Sequence, residues 1–114
     1  MKKFYPFPAL WRCMPIVGLM CALALDAQAV EVKANRSCKV WAADKGVVTS
    51  LNHEAWLMGF MSGLATATDR DVLKGTDAAW IFVRVDSFCL VNPLKHIGDA
   101  GVAVFEELLK KKGF

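Results

Sequence analysis

Residues 78–93 read Ala78-Ala79-Trp80-Ile81-Phe82-Val83-Arg84-Val85-Asp86-Ser87-Phe88-Cys89-Leu90-Val91-Asn92-Pro93, and the choice between helix and strand here decides the fold. Ile81 to Val85 is rich in β-branched residues and partly alternates, which favours a strand. Ala78, Ile81, Val85, Phe88 and Cys89 instead form a stripe at helical spacing over more than three turns. Strands seldom run that long, and no partner strand is evident elsewhere in the chain. The expectation is therefore a helix capped by Thr76 or Asp77 and ending near Val91. Asn92-Pro93 then breaks the chain, and proline suits the first position of a new helix with Asn92 as its cap. Leu94, Ile97, Gly101, Val102, Phe105, Leu108 and Leu109 mark one face of that helix, which reaches Lys112 before Gly113 stops it.

On the N-terminal side, a helix is expected from about Asn52 to Ala67, with Ser50 or Asn52 as N-cap. Trp56, Leu57, Phe60, Met61 and Leu64 supply its apolar stripe, with Ala55, Gly59 and Gly63 beside it at intervals of four. Glycine inside a helix costs about 1 kcal/mol relative to alanine, so two of them call for a reason. The reading adopted is close approach of another helix, with Gly98 and Gly101 as the small counterparts of Gly59 and Gly63. Thr66 to Gly75 is a polar connection, and residues 30–48 form a polar, irregular arm. In that arm Cys38 and Trp41 are three apart, which puts them on one side of a helical turn.

The first 29 residues have a different character. Lys2, Lys3 and Arg12 precede an uncharged apolar run from Met14 to Leu25, and Ala27-Gln28-Ala29 offers small residues for cleavage before Val30. This is the pattern of a secretory signal peptide, since 12 apolar residues fall short of the roughly 20 needed to span a bilayer. The expected organisation is a signal peptide at 1–29 and one helical domain at 30–114, exported to the bacterial periplasm. The chain's net charge of +3 is partly targeting signal, because residues 30–114 hold 11 basic and 10 acidic side chains. A charge-driven nucleic-acid partner is therefore not expected, nor is a membrane partner after cleavage. Lys110-Lys111-Lys112, at the end of the last helix, is read as complementing the helix dipole.

Cys13 and Cys21 lie in the leader, leaving Cys38 and Cys89 as an even pair in an oxidising compartment. One disulfide is expected. It would close a 52-residue loop, worth roughly 3–4 kcal/mol in the chain-entropy model. A metal centre from Cys38, Cys89, His53 and His96 is disfavoured because no two of them have the short spacing that zinc sites use. No cofactor is implied. An enzyme is not expected either: Ser62 lacks the context of a nucleophile elbow, and His53 and His96 sit at helix starts where capping or solvation accounts for them. Trp41, Trp56, Phe60, Trp80, Phe88 and Phe105 are read as core or binding aromatics.

Cys38-x-x-Trp41, the helix at Trp56-Leu57-Met58, and Phe88-Cys89-x-x-Asn92-Pro93 together resemble the HdeA/HdeB family of periplasmic acid-stress proteins. The resemblance covers roughly Cys38 to Ile97. It implies a small all-α protein, here a disulfide-bridged three-helix domain, that can form a homodimer at neutral pH and binds unfolded clients through apolar surface when acidified. The pH sensors would be carboxylates, since protonation below about pH 4 removes their charge; Asp69, Asp71, Asp77, Asp86 and Asp99 are the candidates. Trp56-Leu57-x-Gly59-Phe60-x-Ser62-Gly63 followed by a proline-initiated helix is also similar to the Rap1a-type periplasmic immunity proteins. That likeness implies a partner that is a toxic effector.

Overall fold

The computed structural model describes residues 30–114, and the expected signal peptide at 1–29 lies outside the described residues. Four helices appear among them: α1 (Cys38–Ala43), α2 (Ser50–Thr68), α3 (Ala78–Val91) and α4 (Ile97–Lys112). The class is all-α, as expected, with one helix more than the three anticipated. The addition is α1, in the arm read as irregular. Ser37 caps it by accepting a hydrogen bond on its hydroxyl from the Val40 N–H (3.2 Å). A helix of six residues contains too few i, i+4 pairs for hydrophobic periodicity to reveal it.

The ambiguous run is α3. Ile81, Val85 and Cys89 are 0%, 0% and 5% exposed, which is the burial pattern of one helix face. The Asp77 carboxylate accepts from the Ala79 N–H (3.0 Å), so of the two expected caps, Thr76 and Asp77, the second is used. The α2 stripe holds, with Leu57 and Met61 fully buried and Trp56, Phe60 and Leu64 packed half-buried around them. Its N-cap is Thr49 rather than Ser50 or Asn52. At the far end Gly113 takes the left-handed conformation (φ 78°) and its N–H closes onto Leu109 and Lys110 carbonyls, ending α4 as expected.

Asn92-Pro93 breaks the chain but does not start the next helix. The Asn92 side-chain amide donates back to Phe88 O (2.9 Å), and residues 93–95 make a turn. Helix formation waits until Ile97 because the backbone before it is engaged elsewhere. Cys38 N–H donates to Lys95 O (2.8 Å) and Ile97 N–H to Arg36 O (2.9 Å), across an isolated antiparallel bridge between Ser37 and His96. His96 is the N-cap, and the Asp99 carboxylate accepts from its N–H (2.9 Å). Asn35 completes this start by accepting from Gly98 N–H (2.8 Å). Leu94 consequently stands outside the helix, 82% exposed, and Val102 is 39% exposed; both were expected on the buried face.

The glycine pairing is also corrected. A methyl group added at Gly59 or Gly63 would meet nothing within 4 Å, so neither admits a neighbouring helix. Gly101 is the position of close approach: a Cβ there would sit 3.1 Å from Phe60 and 3.2 Å from Leu57, the side chains that α2 lays across α4. Gly98 is crowded by Asn35 rather than by α2. Both α2 and α3 pack on α4, and α1 packs on α3. Their shared core also takes in Val72, fully buried from within the polar 66–75 connection, along with Ala100, Val104, Phe105 and Leu108.

Candidate functional site

The residues singled out in the sequence converge most densely where α1 meets the last two turns of α3. Cys38 and Cys89 form the expected disulfide, with Cα atoms 5.0 Å apart across 51 residues of sequence. Both sulfurs are thereby consumed, which removes them from any metal centre. Trp41, one turn after Cys38, is 6% exposed and lines the same groove as the disulfide, as the three-residue spacing implied. Its ring packs on Phe82 at 6.1 Å, tilted by 56°.

Indole burial leaves one polar atom to satisfy, and Asp86 satisfies it. Trp41 Nε1 donates to Asp86 Oδ1 (2.7 Å), while Lys45 Nζ pairs with Asp86 Oδ2. Asp86 lies one turn before Cys89 on α3, so a single carboxylate binds the ring and the chain that follows α1. Behind it His53 Nε2 contacts Asp44 Oδ2 at 2.7 Å, joining the end of α1 to the first turn of α2. The His53 side chain is 13% exposed, so it is more enclosed than a solvent-facing residue at a helix start. Asp44 and Lys45 carried no motif, and only the tertiary structure reveals their partners.

Beside the disulfide runs a shallow groove of about 400 Å³, lined by Cys38, Trp41, Ala42, Cys89, Leu90 and Pro93, with Lys39, Lys45 and Asp86 at its edge. The chain leaving it is apolar and uncovered: Leu90 is 83%, Val91 77% and Leu94 82% exposed. A second exposed aliphatic run lies at Val47, Val48 and Leu51, but only this one adjoins the disulfide groove. Sequence reading assigned Leu94 to the core and Leu90 to no stripe. Their exposure follows from the late start of α4, which no local pattern announces.

The remaining candidates are dispersed. Among the aromatics, Phe105 is buried (4%), Trp56 stacks on Phe60 at 5.2 Å and donates to Lys33 O (3.1 Å), and Phe88 lies beneath Lys95 (5.9 Å). Trp80 sits at the other end of α3, under Arg84 and Lys111. Of the acidic candidates, Asp77 and Asp99 cap α3 and α4, Asp86 ties α1 to α3, Asp69 takes the left-handed C-cap of α2 (φ 53°), and Asp71 is exposed. The five do not form a cluster.

Among the described residues no helix is long and apolar enough to cross a membrane, and no group of three or more His, Cys, Asp or Glu side chains could hold a metal ion. No protein-family model, curated protein or solved structure matches the chain.

Proposed function

We propose that the domain is a non-catalytic protein-binding module of the periplasm that holds unfolded clients under acid stress, using the apolar end of α3. The observation that carries this reading is the placement of the Asp86 carboxylate, which ties α1 and the chain after it to α3 beside the groove. Asp86 accepts from Trp41 Nε1 and pairs with Lys45 Nζ, whereas Asp77 and Asp99 accept only from N–H groups at the starts of their own helices. A bond to a charged acceptor is roughly twice as strong as a neutral one, so neutralising Asp86 would weaken the link between α1 and α3. Loosening there would widen the groove and enlarge the apolar surface already present at Leu90, Val91 and Leu94. Light scattering from an aggregating client tests this: protein added at about pH 2–3 suppresses the signal, while at pH 7 it does not. Equal suppression at both values, or none at either, refutes it.

A second reading is favoured by one observation. Leu90, Val91 and Leu94 are exposed without any opening of the fold, which suits a preformed surface for one folded partner such as a secreted effector. Stoichiometric complex formation at neutral pH with an effector encoded beside this protein would establish the inhibitor role over the chaperone one.

A further inference from the structure

The opposite end of α3 has different chemistry. Lys110, Lys111 and Lys112 close α4, where solvated lysines complementing the helix dipole would extend into water. Lys111 and Lys112 are exposed but also fold back onto the domain. The Lys111 ammonium lies 4.7 Å from the centre of the Trp80 ring, and Lys112 Nζ donates to the Lys74 carbonyl of the connection before α3. Arg84 covers the same indole at 5.9 Å. A recess of about 440 Å³ is lined by Trp80, Leu108, Lys111 and Lys112 together with Gly75, Thr76 and Asp77.

The carboxylates of this end are largely committed. Asp77 caps α3, and Glu107 accepts from Arg84 Nε (3.1 Å). Lys74, Lys111 and Lys112 make no ion pair among the described residues, and Glu106, Asp69 and Asp71 stand exposed nearby in sequence. An aromatic ring with ammonium groups beside it is the composition of an interfacial lipid contact: tryptophan seats at headgroup depth and lysines meet phosphates.

We propose that this end docks on an anionic phospholipid surface, with headgroup phosphates met by Lys111 and Lys112 beside Trp80. The mode is peripheral. It reverses the expectation that residues 30–114 have no membrane partner, and it is independent of which protein the apolar end binds.

The test is partitioning of the full chain onto vesicles of phosphatidylglycerol mixed with phosphatidylcholine, against phosphatidylcholine alone. Comparison is made with K111Q/K112Q, whose fold is checked by its melting curve. Residues 1–29 are common to both proteins, so the difference between them is the readout. Each lysine near an anionic surface changes binding about fivefold, so the double variant should bind the anionic vesicles about 25-fold more weakly. Added salt should erase most of that difference. Trp80→Leu, with both lysines present, should also weaken binding. Equal partitioning of wild type and K111Q/K112Q overturns the proposal. So does lysine-dependent binding to an acidic polypeptide with no lysine dependence on the vesicles, which would make the partner a protein.

Discussion

At its C-terminal end α3 is clamped to α1 by a disulfide and then carries Leu90 and Val91 into solvent; at its N-terminal end Trp80 lies beneath two cations. Trp80 and Leu90 are ten residues apart, about 15 Å along the helix axis. The first end combines a covalent clamp with uncovered aliphatic surface, and the second combines an aromatic ring with positioned charge. A covalent bond can hold a junction while nearby hydrogen bonds weaken, so apolar surface there can grow without the fold dispersing. Charge held over a ring needs no opening at all. The pairing teaches that a small domain with nearly balanced charge can still present two chemically distinct faces.

The largest effect should come from the clamp. Cys89→Ser, or reduction of the bridge, should lower stability by about 2–5 kcal/mol. Hydrogen exchange should show protection lost first in α1 and residues 93–96, ahead of the last turns of α4. Uniform loss along the chain would break the distinction between the ends. Next in size is Gly101→Val. Its side chain would press on Phe60 and Leu57 and cost about 1–3 kcal/mol by denaturant unfolding. Gly59→Ala and Gly63→Ala meet open space and should instead stabilise by about 0.5–1 kcal/mol each.

A smaller change sharpens the comparison by pH. Asp86→Asn keeps an acceptor for Trp41 but loses the charge that pairs with Lys45, so it should lower stability at pH 7 by about 1 kcal/mol. Because acidification removes the carboxylate charge that the variant lacks, the gap between variant and wild type should narrow as pH falls from 7 to 3. A gap that persists at pH 3 would exclude Asp86 as a contributor to acid response. The smallest effect on stability belongs to L90K/L94K, within about 0.5 kcal/mol, because both positions are already in water.

Much of the fold is legible in the sequence. The α3 stripe, the Asp77 cap, the Gly113 stop and the Cys38–Cys89 pair are local or parity signals, each expressed within a few residues or by the count of cysteines. What escaped reading is tertiary. Pro93 fits a turn as well as a helix start, and only the bridge between Ser37 and His96 selects the turn. Gly59 and Gly63 satisfy the spacing of a packing face, yet Phe60 and Leu57 on the neighbouring face are what reach Gly101. Of the candidate site, Trp41 beside the disulfide followed from spacing. Asp86 was one of five carboxylates with no assigned partner, and Lys45 and Asp44 were invisible because they pair over 41 and 9 residues of sequence.

The most direct test of the account is client aggregation at about pH 3 in the presence of wild type, L90K/L94K or K111Q/K112Q, followed by light scattering. The account predicts that wild type and K111Q/K112Q protect the client equally while L90K/L94K loses most of its protection. Full protection by L90K/L94K would contradict the assignment of the apolar end of α3 as the protein-binding surface.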